Sequence, residues 1–215
     1  MRLNSDMNIE HPAKLKIAVL IGGSGSNLQA LIDATQINPN CTVLFEIVGV
    51  ISHNPKAYGL IRAEEAHLNH FAIEPNLYLT KQAFEQAILA ILAELKPDLI
   101  CLAGFMRVLS PEFIQAYPNQ IINIHPSLLP KYPGLHTHRQ VIANKDTEHG
   151  ATVHWVNEQL DAGPIIAQKK IAVTQDDTEE SLKQKVLKLE HQLYPSVVET
   201  IALNHFVQLN HQVNS

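Results

Sequence analysis

Two kinds of hydrophobic pattern alternate along the first half of the chain. One is a run of consecutive apolar residues: LKIAVLIGG from Leu15, CTVLFEIVGVIS from Cys41, the shorter HFAIEP from His70, DLICLAG from Asp98 and IINI from Ile121. Unbroken runs of this length predict strands covered on both faces, because a half-exposed strand would alternate apolar with polar residues. The other pattern repeats every three or four positions, as helices do. SNLQALIDAT carries Leu28, Leu31 and Ile32 after a Ser/Asn start, and NPKAYGLIRAEEAHL opens with Asn54 and Pro55. Thr80 caps KQAFEQAILAILAEL, whose stripe Phe84, Ile88, Ile91, Leu92 and Leu95 stops at Pro97. SPEFIQAYPNQ, with Ser110 and Pro111 at its start, is a short fourth helix.

This order predicts an α/β fold of the Rossmann-like, doubly wound class, with right-handed crossovers and a mainly parallel sheet. The last third differs. GATVHWVN and GPIIAQKKIAV predict two strands joined by the turn EQLDAG rather than by a helix, which makes that part of the sheet mixed or antiparallel. Asp177 and Glu180 form a capping-box pattern for a last helix with Leu182, Val186, Leu189 and Leu193 buried, limited or kinked at Pro195.

Composition narrows the function classes. With 46% apolar and 17% charged residues the chain can bury a core, and a net charge of −5 provides no overall basic field for nucleic acid. The two cysteines, Cys41 and Cys101, sit inside apolar runs, as buried thiols in a reducing compartment do. No run reaches the ~20 apolar residues of a membrane span, and the first fifteen residues are polar where a signal peptide is apolar. A cytoplasmic single-domain protein, residues 16–215 behind a loose leader at 1–15, is the expectation.

Three segments carry candidate chemistry. Gly22 to Asn27, GGSGSN, lies between the first strand and the first helix, where backbone N–H groups make an anion site suited to phosphate. It lacks the third glycine of a dinucleotide loop and the lysine of a P-loop, and read alone it is equally a tight turn with a good cap. Asn123 and His125 stand two apart at the end of the fifth strand, so their side chains project together and could polarise one carbonyl oxygen. Pro126, Pro130 and Pro133 stiffen the segment that follows, NIHPSLLPKYPGLHTH, which begins where ligands sit in open α/β sheets. Asp161, before Gly163-Pro164, is by itself a turn signal. If the turn folds over the fifth strand, its carboxylate can orient His125 and favour the imidazolium. A zinc site built from His136 and His138 with His125, His154 or an acid is the competing use of twelve histidines, and no HExxH or cysteine pair supports it.

The stretches GGSGSNLQALIDA, LAGFMRVLSPEFI, INIHPSLLPKYPGLHTHRQ, EHGATVHWVNEQLDAGPII and LEHQLYP, in this order, resemble the glycinamide ribonucleotide formyltransferases, from about Lys16 to Pro195. Ala162 departs from the second glycine common in that group. The resemblance implies transfer of a formyl group from 10-formyltetrahydrofolate to the amine of glycinamide ribonucleotide, a step of purine synthesis that needs no metal. It implies Asn123, His125 and Asp161 as catalytic residues, and Gly25, Ser26 and Asn27 on the substrate phosphate. Glu190 would meet the glycinamide end, and Met106, Arg107, Val108 and Leu109 would line the folate pocket with the turn from Asn157 to Asp161. Residues 16–118 would then form the phosphate-binding half and 119–200 the catalytic and folate-binding half of a monomer or homodimer, with small-molecule partners and neither nucleic acid nor membrane among them. Rivals are a 10-formyltetrahydrofolate deformylase, a tRNA formyltransferase, a zinc hydrolase and a non-catalytic nucleotide-binding module.

Overall fold

The computed structural model of the protein describes residues 14–36 and 43–213, with side chains to residue 207. The expected leader, apart from Lys14 and Leu15, lies outside the described residues, as does Cys41. Seven strands, β1 (Leu15–Ile21), β2 (Phe45–Ser52), β3 (His70–Ala72), β4 (Leu99–Ala103), β5 (Ile121–His125), β6 (Glu148–Trp155) and β7 (Ile165–Ala172), form one sheet in the order β3-β2-β1-β4-β5-β6-β7. β1 to β5 are parallel, whereas β6 runs antiparallel to both β5 and β7. The helices are α1 (Ser26–Gln36), α2 (Tyr58–Glu65), α3 (Lys81–Leu95), α4 (Pro111–Ala116), α5 (Thr137–Ala143) and α6 (Glu179–Val213).

The unbroken apolar runs are explained by two separate cores. Ile17, Val19 and Ile21 of β1 pack on one face of the sheet with Leu28 and Leu31 of α1 and Val186, Leu193 and Val197 of α6. Ala18 and Leu20 pack on the other face with Phe84, Ile88 and Leu92 of α3 and Phe113 of α4. On β5 the same alternation sends Ile122 and Ile124 to the first core, leaving Asn123 and His125 on the opposite face. β1 lies between β2 and β4, so the chain reverses its winding there and a crevice opens at the carboxyl ends of β1 and β4.

The capped helices form as their sequences predict: Thr80 Oγ1 accepts from the Ala83 amide and Ser110 Oγ from the Phe113 amide. Elsewhere the structure corrects the sequence reading. α2 begins at Tyr58, four residues after Asn54, because the Asn54 side chain accepts from the Lys56 amide and closes a turn first. α5 was not anticipated. At the start of α6 the helix amide of Ser181 is capped by Thr178 Oγ1, while the Asp177 carboxylate takes the Thr174 amide, the Ser181 hydroxyl and the Lys185 ammonium. α6 continues through Pro195, which is buried, and Leu189 of the expected stripe is half-exposed beside a buried Glu190.

Candidate active site

At the end of β1 the chain turns sharply into α1. Gly25 adopts φ +69°, and a Cβ there would stand 2.5 Å from the Gly59 Cα, so this backbone can approach α2 only as glycine. The Gly59 amide donates to the Gly23 carbonyl and Arg62 Nε donates to the Ser24 carbonyl, so α2 fixes the loop from behind. The first amides of α1, including those of Ser26 and Asn27, have no intrahelical acceptor and carry the positive end of the helix dipole, which suits an anion. Asn27 Nδ2 donates to Glu190 Oε2 at 2.7 Å. Glu190 is 6% exposed, and burial, only partly offset by Asn27, raises its carboxyl above the ordinary range.

At the end of β5 three segments meet. Asp161 Oδ2 lies 3.3 Å from His125 Nδ1 and accepts from the Gly134 amide at 2.8 Å; Asp161 Oδ1 accepts a long 3.4 Å bond from Asn123 Nδ2. Asp161 adopts φ +50°, a left-handed conformation costing a non-glycine residue about 1–2 kcal/mol, and these contacts over-determine it. His125 Nε2 faces the Tyr132 carbonyl at 2.8 Å. Both imidazole nitrogens are therefore engaged, and the ring is 5% exposed.

Burial lowers the His125 pKa below 6.5, although the Tyr132 carbonyl and Asp161 both pull toward the imidazolium. The pairing expected to favour the cation is present, and desolvation outweighs it. The shorter bond to Tyr132 places the proton of the neutral ring on Nε2, leaving the Nδ1 lone pair facing a carboxylate. For Asp161, burial alone would raise the pKa, but the His154 ring, the Gly134 N–H and His125 together hold it below the usual carboxylate value.

His154 is a site residue that the sequence reading considered only as a zinc ligand. β5 and β6 pair Asn123 with His154, and with His154 Nδ1 2.9 Å from the Trp155 carbonyl its Nε2 stands 3.2 Å from Asn123 Nδ2 and 3.6 Å from Asp161 Oδ1. Asn123 is thereby oriented from β6. The signal in the sequence was the strand GATVHWVN, which needs its register against β5 before it names a partner.

The NIHPSLLPKYP segment satisfies its own backbone. Thr152 Oγ1 donates to the Ser127 carbonyl and accepts from the Leu129 amide, and Ser127 Oγ donates to the Lys131 carbonyl. Such internal bonding makes a rigid wall of an irregular stretch. Across the crevice, Met106 (71% exposed), Arg107 and Val108 are open to solvent, whereas Leu109 is buried in the second core. Exposed Leu135 and Leu160 face solvent from the neighbouring loops, and Asn157 is exposed with its Oδ1 accepting from the Gln159 amide. His138 Nδ1 lies 2.9 Å from His149 Nε2, and His136 is exposed. Among the described residues no group of three or more His, Cys, Asp or Glu could hold a metal ion.

Residues 15–198 match the formyl transferase family. The phosphoribosylglycinamide formyltransferase of Escherichia coli K12 is 43% identical over 188 residues, covering 87% of either chain. The trifunctional purine biosynthetic protein adenosine-3 of Bos taurus is 44% identical over 191 residues, 89% of this chain and 19% of that longer protein. Among solved structures, phosphoribosylglycinamide formyltransferases from Coxiella burnetii (44% identity, TM-score 0.85, 89% of either chain) and Brucella melitensis (46%, 0.83, 88% of this chain and 96% of that one) have the same fold.

Proposed function

The chain belongs to the formyl transferase family, and from that membership we propose that it is a phosphoribosylglycinamide formyltransferase, moving the formyl group of 10-formyltetrahydrofolate onto the amine of glycinamide ribonucleotide in purine synthesis. One observation carries the reading of the site: Asn123 and His125 of β5 each stand within 3.4 Å of Asp161, which comes from a separate turn, one strand away from the end of β1 that carries the glycine loop. The exposed apolar side chains of Met106 and Val108 opposite them fit a flat aromatic ring system such as a folate.

The folate, when bound, supplies an electrophilic formyl carbon. The free amides of Gly25, Ser26 and Asn27 hold the ribonucleotide phosphate, and the Glu190 carboxylate, already bonded to Asn27, meets the ammonium end. Asn123 is the donor best placed for the oxyanion, since its 3.4 Å bond to Asp161 is the weakest of the set and an incoming oxygen displaces it. His125 cannot donate to that oxygen without giving up the Tyr132 carbonyl. As the amine nitrogen bonds to the formyl carbon, the His125 Nδ1 lone pair instead receives the proton leaving the amine, through Asp161 or a water, and returns it by the same route to the folate nitrogen as the bond between that nitrogen and the formyl carbon breaks, the adjacent carboxylate stabilising the imidazolium in between. Glycinamide ribonucleotide and the folate are thus the small-molecule partners; no nucleic acid contact is needed. Among the described residues no helix is long and apolar enough to cross a membrane.

The test is folate turnover measured with and without glycinamide ribonucleotide. Turnover that requires the ribonucleotide supports the proposal; equal turnover without it identifies a deformylase instead, and none in either condition overturns both readings.

A further inference from the structure

Tyr132 is not glycine, yet it adopts φ +57°. A tyrosine holds a left-handed conformation only where its surroundings impose it. Its phenol provides the restraint: Oη donates to Asp146 Oδ2 at 2.8 Å and accepts from Asn144 Nδ2 at 2.9 Å. Asp146 is itself fixed at the end of α5. The Lys145 amide donates to the Ile142 carbonyl and the Asp146 amide to the Val141 carbonyl, with Lys145 at φ +54°, which is a Schellman closure of that helix. Lys131 Nζ, 3.3 Å from the same carboxylate, adds a mostly exposed ion pair. At its other end Tyr132 presents its carbonyl to His125 Nε2 at 2.8 Å. A continuous chain of directed contacts therefore runs from the end of α5 to the imidazole, and nothing in the reaction itself uses Asp146.

We propose that Asp146, acting through the Tyr132 phenol, is a positioning residue for His125, a role that rests on the reading of His125 as catalytic given above. By holding Tyr132 in its left-handed conformation the carboxylate aims the carbonyl at Nε2. That contact keeps the neutral proton on Nε2 and leaves Nδ1 to Asp161. Asn144 completes the clamp by donating to the same phenol oxygen.

The test uses the full-length enzyme with Tyr132→Phe, Asp146→Ala, Asp146→Asn and Asn144→Ala, following the His125 imidazole by NMR titration alongside steady-state kinetics. Tyr132→Phe and Asp146→Ala should lower kcat by about tenfold while changing the ribonucleotide KM less than about twofold, because geometry at the reacting centre is lost and substrate contacts are not. The His125 midpoint should fall in both, since the lost carbonyl acceptor favoured the protonated ring and Asp161 and His154 are unaltered. Asp146→Asn keeps an oxygen acceptor for the phenol and should restore both midpoint and turnover. Combining Tyr132→Phe with Asp146→Ala should add nothing to either alone. A lowered melting temperature with an unmoved His125 midpoint would overturn the proposal, as a merely structural role predicts that result. If Asp146→Ala fails to fold, Asn144→Ala, on an exposed residue, must shift the midpoint in the same direction by a smaller step, and no shift overturns it as well. His125→Ala separates the two readings: full activity there sinks the catalytic assignment of His125, while the midpoint still decides whether Asp146 positions the ring.

Discussion

The carboxyl ends of β1 and β5 lie one strand apart in the sheet and are built by opposite means. At β1 the groups assigned above to the phosphate are backbone amides of consecutive residues, and what the sequence must supply is the absence of side chains, Gly25 above all. At β5 the groups assigned to the reaction are side chains from β5 and from the turn at Asp161, each aimed by another: His154 of β6 on Asn123, Tyr132 on His125, Gly134 on Asp161. A backbone site fails when atoms are added. A side-chain site fails when one functional group is removed, since its neighbours are then left misdirected as well as unpaired.

The sharpest way to break this contrast is Asn123→Ala. Removing one oxyanion donor should lower the single-turnover rate by ~10²–10³, with the ribonucleotide KM little changed; a near-normal rate would remove the β5 end from the chemistry. Next comes Gly25→Ala. Its methyl meets the Gly59 backbone at φ +69°, so the loop must move. Losing two or so amide contacts of ~1 kcal/mol each should raise the ribonucleotide KM on the order of tenfold or more with kcat held, a KM effect where Asn123→Ala gives a kcat effect.

A smaller effect of opposite sign is expected at Glu190, which meets the β1 end through Asn27. Burial raises the Glu190 carboxyl above its unfolded value near 4.5, so its stabilising contribution is complete below that value and is lost as pH climbs through the folded one. At neutral pH Glu190 is a liability to the fold that the substrate's ammonium would relieve. Glu190→Gln keeps an acceptor for Asn27 and should raise the melting temperature at pH 7 by about 2–4 °C, a gain that vanishes below pH 4.5, while weakening ribonucleotide binding. A thermal unfolding series across that pH range checks it. The smallest change is Thr80→Ala, which removes the side-chain cap of α3. It should cost about 1 kcal/mol in denaturant unfolding and leave turnover untouched.

Legibility in the sequence followed the same division. The strand, turn and helix around the Gly22 to Asn27 loop could be read because they are contiguous in the chain. The pair Asn123 and His125 was readable from strand parity alone. Asp161 read by itself was only a turn, because its contact with His125 spans a fold-over that no spacing encodes. His154 was missed for the same reason: its partner depends on the register of β5 against β6. α5 went unrecognised because it has no side-chain cap at His136 and only seven residues, too few to be stable without the packing of Thr137 and Val141. The capping role given to Asp177 went to Thr178, one residue on, where local chemistry offered two equivalent oxygens and geometry selected one.

What the sequence determined by itself is the layered α/β architecture, because hydrophobic periodicity and chain stops act between near neighbours and need no tertiary contact to be expressed. Only the folded chain decided which partners aim Asn123, His125 and Asp161, and that burial, against the pull of Asp161, keeps His125 below its ordinary pKa. Those outcomes are balances between desolvation and contacts made across long sequence separations, and such balances exist only once the sheet register and loop closures have been set.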